Sequence, residues 1–178
     1  MVKHGVEKGL FKKGETSKQI FHLYKPPHPD EIYKAGIEMH WYSYYHKWIP
    51  EENYYYSFKH TGFRPNNKGR TEGTYTKYAS IDDKADGFHF YLSYMKFGLG
   101  RATRDAMQDI RCNHITREEG VALVRLYDGE FPKNYFKWFL EYLDITESFF
   151  WQVMDRYREK SNVWEKENGN WKLNTIVS

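Results

Sequence analysis

The sequence contains a single cysteine, Cys112, among its 178 residues. One thiol allows neither an internal disulfide bond nor a cysteine-based metal site, and it is typical of a protein from a reducing compartment. Cys112 stands at the end of a predicted helix, beside Asn113 and close to His114. A nucleophilic thiol needs a positioned base, which sequence neighbours alone do not provide. We therefore interpret Cys112 as an ordinary thiol.

Long apolar runs and a strong charge of one sign are also lacking. No apolar run approaches the roughly 18 residues that span a membrane, and the first segment, MVKHGVEKGLFKKGE, has no signal-peptide core. The net charge is +3, from 27 basic and 24 acidic residues, which is too small to indicate binding to nucleic acid. We expect a soluble, cytoplasmic protein whose partners include neither a membrane nor nucleic acid.

The common motifs for phosphate and metal binding are missing as well. The sequence has no G-x-x-x-x-G-K-[ST] loop, no G-x-G-x-x-G after a strand and no H-E-x-x-H helix. The G-x-G in GLGRAT lacks a third glycine, and we interpret it as a break between helices. His40 and His46 are six residues apart, so they do not share one helix face. We predict no metal site, and no nucleotide cofactor bound by this chain alone.

Aromatic residues are abundant, with 16 Tyr, 12 Phe and 6 Trp. They indicate a folded protein despite the mean hydropathy of −0.87, because disordered chains are poor in such residues. The basic and Pro-rich residues 1–30 predict an extended connector, and residues 31–178 predict one domain.

Apolar periodicity predicts a mainly α-helical fold, with a helical C-terminal half after about Ser80. Capping patterns support helices that begin after Thr116, where Glu119 completes a capping box, and after Thr146. Pro132 fits the first turn of another helix. Further signals are a short helix at 29–34, a helix over about 103–111, buried faces that include Tyr135, Leu143 and Phe149, and a β-hairpin at Asn168-Gly169.

The N-terminal half has a less regular pattern. Closely spaced Gly, Pro and Asn over 53–73 predict a long ordered loop. The aromatic residues from Trp41 to Tyr56 suit two roles: they could stack on sugars or bases, or they could form a local core. Between these, we favour the core.

The segment RTEGTYTKYASIDDKADGFH, residues 70–89, is the strongest candidate for a binding site. Its hydroxyl groups, Gly73, Arg70 and Lys77 suit an anionic ligand. A structural explanation covers part of the acidic cluster, because Asp82 can cap the following helix and Asp83 suits the helix dipole. The residues themselves leave both interpretations open.

Several motifs together resemble a known family over nearly the whole chain. They are YYHKWIPEENYYYS, TGFRPN, RTEGTYTKYASIDDKADGFHFYLSYMKFGLGRATRDA, HITREEGVALVRLYDGEFPKNYFKWFLEYLDIT and WEKENGNWKL. In this order they resemble the C-terminal portion of bacterial N-acetyl sugar amidotransferases, including the pseudaminic acid amidotransferases. The resemblance implies an ATP-dependent reaction that turns an acetamido group into an acetamidino group during surface-glycan biosynthesis.

The resemblance also implies partners and site residues. It implies that ATP and Mg²⁺ bind through an N-terminal half or subunit with the ATP-pyrophosphatase loop, which this sequence lacks, and that a glutaminase supplies ammonia. The substrate would be a sugar or a nucleotide sugar. The implied catalytic residues are Lys77, Asp83 and His89. The implied substrate- or phosphate-binding residues are Arg70, Thr71, Glu72, Gly73, Thr74, Tyr78, Asp82, Lys84, Asp86, Arg101 and Asp105.

Two other functions compete with this hypothesis. The first is a non-catalytic module that binds sugar nucleotides or completes a separate ATP-binding subunit, as the missing phosphate loop suggests. The second is a weak nucleic-acid binder, which the small net charge disfavours.

Overall fold

The computed structural model describes residues 26–178. The chain divides into two units, residues 1–47 and 48–178. The predicted connector, residues 1–30, lies mostly outside the described residues, and the predicted domain boundary stays a prediction. The fold over the described residues is mainly α-helical with one small β-hairpin, which confirms the predicted fold class.

The described part of the first unit contains two short helices, α1 (Pro29–Lys34) and α2 (Tyr42–Tyr45). Helix α1 begins with a capping box in which the His28 side chain accepts from the Asp30 amide, 3.3 Å away, and Glu31 accepts from the His28 amide. The predicted helix at 29–34 is confirmed. Proline fits its first turn because proline has no amide hydrogen to leave unpaired.

The second unit contains the remaining elements. They are α3 (Pro50–His60), α4 (Asp86–Phe97), α5 (Arg101–Arg111), α6 (Arg117–Tyr127), α7 (Phe136–Leu143), α8 (Glu147–Lys160), β1 (Trp164–Glu167) and β2 (Asn170–Leu173). No helix in the described part of the chain is both long and apolar enough to cross a membrane.

The core of this unit is an aromatic cluster between α4, α7 and α8. Its buried members are Phe88, Tyr91, Met95, Phe139, Phe150 and Met154. The rings of Phe88 and Phe139 stack with centroids 4.0 Å apart, and Phe150 meets Phe88 edge to face. Each such side chain contributes about 1.5–3 kcal/mol through burial, so this cluster fixes the positions of the surrounding loops.

The C-terminal hairpin is confirmed at its predicted turn. Strands β1 and β2 pair antiparallel, and both turn residues, Asn168 and Gly169, have positive φ. Asn-Gly favours this turn because both residues tolerate the left-handed region. The Trp164 indole N–H donates to the Met95 carbonyl at 2.8 Å and so attaches the hairpin to α4.

Two of the predicted helix caps are confirmed. Thr116 and Glu119 form the expected capping box, and the Thr146 side chain accepts from the Phe149 amide at 3.2 Å. Such caps satisfy amides that have no partner within the helix. The structure also places Cys112 directly after α5, where its thiol is buried.

The predicted starts of two helices were wrong. Helix α4 begins at Asp86 rather than after Asp82, and its N-cap residue is Ala85. The carboxylate of Asp83 instead accepts from the Ala85 amide at 2.7 Å. Helix α7 begins at Phe136, so Pro132 lies more than one helical turn before it. The amides of residues 133 and 134 bind a carboxylate from another loop instead of starting the helix.

Other sequence expectations also failed. The predicted loop over 53–73 overlaps helix α3, which Pro50 begins and whose first turn carries two acidic residues. Phe149, Leu143 and Tyr135 are exposed rather than buried. Tyr135 precedes the first residue of α7 and Leu143 is its last, whereas Phe149 stands beside Phe150, which faces the core. The favoured core role for the aromatic residues 41–56 was wrong, since most of these side chains are exposed.

Candidate functional site

The loop between α3 and α4, residues 61–85, folds back on itself without forming strands. The Asn66 amide donates to the Lys77 carbonyl at 2.8 Å, and the Thr71 amide donates to the Thr76 carbonyl at 2.9 Å. Gly73 has φ of +83° at the tip of the inner turn, a conformation that favours glycine. The loop therefore presents two adjacent segments, 64–72 and 80–87, to the same side of the unit.

Arg70 attaches this loop to the chain after α6. Its guanidinium forms two hydrogen bonds to the Glu130 carboxylate, of 2.6 and 2.8 Å, and lies 4.5 Å above the Tyr127 ring. The same carboxylate accepts from the Gly73 amide at 2.8 Å. The bond from Arg70 lowers the pKa of Glu130 despite partial burial, and Glu130 in turn raises the pKa of Arg70. Arg70 thus holds the loop in place through a paired charge.

Glu72 provides a second attachment. Its carboxylate accepts from the Lys133 amide at 3.0 Å and from the Asn134 amide at 3.2 Å. A carboxylate that binds two successive backbone amides fixes the orientation of the segment that carries them. Glu72 therefore joins residues 132–135 to the loop.

A polar network lies beneath the loop. The fully buried Thr74 donates to Asp105 at 2.7 Å, and the Arg101 guanidinium Nε donates to the same carboxylate at 3.0 Å. Arg101 also donates to the Ser80 hydroxyl at 3.1 Å and lies 3.8 Å from Asp86. These contacts support the loop from below.

Two tyrosines complete this lower layer. The Tyr75 hydroxyl donates to the buried Asp109 at 2.6 Å, and the Tyr78 ring stacks on Tyr54 of α3 at 4.7 Å. Burial chiefly raises the pKa of both Tyr75 and Tyr78, and nearby carboxylates add to the effect. Both hydroxyls therefore stay protonated at physiological pH and act as neutral groups.

The segments 64–72, 80–87 and 132–135 surround a cleft of about 490 Å³. We call it the loop cleft. Its lining consists of Arg64, Pro65, Asn66, Asn67, Lys68, Arg70, Thr71, Glu72, Ser80, Ile81, Asp83, Lys84, Gly87, Pro132, Asn134 and Tyr135. Residues that are up to about 70 positions apart in the sequence thus meet at one surface.

The structure brings together only some of the site residues predicted from the sequence. Those that line the cleft are Arg70, Thr71, Glu72, Asp83 and Lys84. Those in or next to the supporting layer, outside the lining, are Gly73, Thr74, Tyr78, Asp86, Arg101 and Asp105. Those that are exposed and also outside the lining are Lys77, Asp82 and His89. Ligand binding or catalysis by any of these residues stays a prediction.

Several cleft residues were missing from the sequence-based site. They are Arg64, Asn66, Asn67, Lys68, Ser80, Asn134 and Tyr135. The segment FRPNNKG carries a signal, because two cations stand among amide side chains and turn residues. Asn134 and Tyr135 carried no such signal, since contacts between distant residues, such as Glu72 with the Asn134 amide, bring their segment to the loop.

The cationic side chains of the cleft differ in whether they form ion pairs. Arg70 is paired with Glu130, whereas Lys68 and Lys84 form no ion pair among residues 26–178. The Lys84 ammonium lies 5.5 Å from the centre of the Trp138 ring and 5.8 Å from that of Tyr135. Arg64 donates to the Phe63 carbonyl at 2.8 Å. The cleft thus offers cations and amides to an anionic, hydroxyl-rich ligand.

Metal binding has little support in the described part of the chain. No group of three or more His, Cys, Asp or Glu side chains there has an arrangement that could hold a metal ion. The carboxylates around the cleft are engaged with amides, hydroxyls or arginines.

A family model described as "LPS biosynthesis protein WbpG-like, C-terminal domain" matches residues 72–177. The chain belongs to this family. Membership supports a role in the biosynthesis of lipopolysaccharide glycans. The matched region includes the cleft segments 80–87 and 132–135, while Arg64, Lys68 and Arg70 precede it. No curated protein matches the sequence.

Proposed function

We propose that this chain forms the sugar-binding part of an ATP-dependent N-acetyl sugar amidotransferase. The enzyme would convert an acetamido group into an acetamidino group in the biosynthesis of a nonulosonic acid or another surface glycan. Membership in a lipopolysaccharide biosynthesis family supports the glycan context, and the resemblance in sequence suggests the reaction.

The observation that carries this proposal is the loop cleft with its cations. Lys68 and Lys84, which form no ion pair within residues 26–178, suit the phosphates of a nucleotide sugar or the carboxylate of an acidic sugar. The side chains of Asn66, Asn67 and Asn134 add amide donors and acceptors for sugar hydroxyls. A cleft with both groups suits a polar anionic sugar better than an apolar ligand.

The proposed reaction replaces the oxygen on the amide carbon of the acetamido group with nitrogen. ATP, when bound, would supply the energy: pyrophosphate would leave as AMP joins the amide oxygen, that oxygen would then leave with AMP, and ammonia would lose two protons as its nitrogen forms the new C=N bond. The described residues offer neither a phosphate loop nor a carboxylate cluster for Mg²⁺. We therefore assign ATP to an N-terminal half or a separate subunit, and ammonia to a glutaminase partner.

Within this scheme the residues of the chain bind and orient the sugar. Lys84 holds its charge beside the rings of Tyr135 and Trp138. Asp83 is the one predicted catalytic residue that lines the cleft, while Lys77 and His89 lie outside its lining. If Lys77 acts in catalysis, its substitution lowers the rate of amidination without weakening the binding of the sugar.

The test is a calorimetric titration of the full chain with UDP-N-acetylglucosamine as the probe. We expect Lys84→Ala to weaken binding roughly 10- to 150-fold, since a lost hydrogen bond to a charged group is worth about 1.5–3 kcal/mol. Lys160→Ala is the matched control, because Lys160 is an exposed lysine at the end of α8, away from the cleft. Equal affinity of both variants and the native chain would contradict the assignment.

A second assay separates catalysis from binding alone. The enzyme isolated from its host is incubated with ATP, Mg²⁺, ammonium and the nucleotide sugar, and mass spectrometry follows the replacement of oxygen by NH. If the sugar binds but no amidino product forms, the chain is a non-catalytic sugar-nucleotide module instead. The exposed positions of Lys77 and His89, outside the cleft lining, are what would favour that alternative.

A further inference from the structure

We propose that Ser80 is a specificity residue whose hydroxyl oxygen accepts a hydrogen bond from a hydroxyl or amide N–H of the bound sugar. This inference rests on the proposed function, because it assumes that the loop cleft binds a sugar. Ser80 lines the cleft, whereas its two side-chain partners, Asp86 and Arg101, are not part of the lining. It is therefore the end of a prearranged polar chain that lines the cleft.

The backbone at Ser80 is unusual for its residue type. Its φ is +57°, in the left-handed region that glycine adopts more readily than serine. A non-glycine residue in this region costs about 1–2 kcal/mol, and such residues concentrate at sites of function. At Ser80 the side-chain hydroxyl forms hydrogen bonds with Asp86 and Arg101, which offset this strain.

The hydrogen bonds of Ser80 determine what its hydroxyl can still do. A hydroxyl has one hydrogen to donate and two lone pairs that accept. The hydrogen goes to the Asp86 carboxylate, because an ionised carboxylate only accepts. One lone pair takes the Arg101 Nη1–H at 3.1 Å. One lone pair remains for the cleft, so the hydroxyl can only accept from a ligand.

This restriction separates two parts of a nucleotide sugar. Phosphate oxygens are acceptors and cannot donate to the free lone pair of Ser80, so they belong with the cations Lys68 and Lys84. Sugar hydroxyls and the acetamido N–H are donors and match it. Ser80 therefore contacts the sugar, and the two lysines bind the negatively charged phosphates.

The partners of Ser80 hold its hydroxyl in this orientation. Only 16% of the Arg101 side chain is exposed, and its guanidinium is fixed by Asp105 and by the Phe90 ring, 4.5 Å away. Asp86 is the first residue of α4, which the aromatic core anchors. The hydroxyl is thus oriented before the ligand arrives, which reduces the entropy lost on binding.

The experiment compares two probes, UDP and UDP-N-acetylglucosamine, by calorimetric titration of the full chain. We expect Ser80→Ala to raise the dissociation constant of UDP-N-acetylglucosamine by about tenfold, as for one lost hydrogen bond, and to leave that of UDP unchanged. Ser80→Gly also removes the hydroxyl but relieves the strain at positive φ. The same loss in both variants therefore assigns the effect to the hydroxyl. Ser148→Ala, an exposed serine on α8, is the matched control.

The remaining outcomes overturn the inference in distinguishable ways. If the Ser80 variants bind both probes equally more weakly than the native chain, Ser80 only shapes the loop. If their affinity for both probes is unchanged, Ser80 does not contact the ligand. If the native chain binds UDP as tightly as UDP-N-acetylglucosamine, the sugar gains nothing from Ser80, while charge binding by the cleft survives. If the native chain binds neither probe, the proposed function fails together with this inference.

Discussion

The aromatic core and the loop cleft belong to the same unit but are held together by different interactions. The core between α4, α7 and α8 consists of stacked and edge-to-face rings, with Phe88 at its centre. The loop of residues 61–85 is held instead by carboxylates that bind amides, hydroxyls and arginines. Packing depends on volume and shape, whereas the polar contacts depend on charge and protonation.

This difference suits the two regions to different tasks. A packed core is sensitive to changes of side-chain volume and little affected by pH, and it gives the loops a fixed base. The polar loop leaves cations and amides at the surface, where they can exchange water for a ligand. The comparison predicts that the two regions respond to different kinds of substitution.

The largest effect is expected from truncation within the core. Phe88 is 1% exposed, and its replacement by Ala removes the ring that Phe139 and Phe150 contact. We expect Phe88→Ala to lower the free energy of unfolding by about 3–5 kcal/mol, as measured by urea denaturation. Phe97→Ala is the control on the same helix, since Phe97 is 62% exposed, and we expect less than about 1 kcal/mol. Similar losses for both would contradict the central role of Phe88.

A smaller effect is expected where the core meets the cleft loops. Gly129 has φ of +77°, and an added Cβ would lie 2.2 Å from Cε1 of Tyr94, a ring packed against the core. We expect Gly129→Ala to lower the free energy of unfolding by about 2–3 kcal/mol, from overpacking and strain together. Gly169→Ala is the matched control.

Gly169 separates the two causes because it has a similar φ of +84° but no heavy atom within 4 Å of an added Cβ. Its substitution therefore causes strain alone, about 1 kcal/mol. If the two variants lose the same stability in thermal or urea unfolding, the close contact with Tyr94 does not contribute.

Sequence patterns predicted α1, the presence of the helices after α3, and the hairpin, because these depend on local interactions. The capping residues Thr116 and Thr146 and the turn residues at Asn168-Gly169 act within a few positions along the chain. Apolar periodicity likewise placed Phe88 and Met95 on the buried face of α4. Local rules sufficed for this part of the fold.

The candidate site was predicted less completely because it is assembled from distant segments. The Glu72 contact with residues 133 and 134 both forms one wall of the cleft and delays the start of α7. No local pattern shows that Thr74 becomes fully buried above Asp105 while Lys84 stays at the surface. The sequence signal in residues 70–89 located the loop but did not show which of its side chains are buried and which line the cleft.

The aromatic residues 41–56 show the limit of composition as a guide. Trp41 is 73% exposed and Tyr55 is 60% exposed, although the segment is as aromatic as the core. Helix α3 carries tyrosines at consecutive positions rather than on one face, so they cannot all be buried together. Periodicity therefore identifies the core better than aromatic content does.

The smallest effect on stability is expected from the ion pair of the loop, and it depends on pH. The Arg70 contact holds the pKa of Glu130 below its ordinary value of 4.5. The stabilisation is therefore complete above about pH 4.5 and is lost as the pH falls through the lowered pKa of the folded state. About a third of each side chain is exposed, so we expect Glu130→Gln to lower the free energy of unfolding by less than about 1 kcal/mol near neutral pH.

Urea denaturation of both proteins at neutral and acidic pH tests this dependence. The difference between the native chain and Glu130→Gln should shrink in acid, because protonated Glu130 no longer binds Arg70 as a charged partner. Glu159→Gln, an exposed change on α8, should show no such convergence. A constant difference for Glu130→Gln at both pH values would mean that shape rather than charge attaches the loop. The contrast between the packed core and the polar cleft would then not hold at this contact.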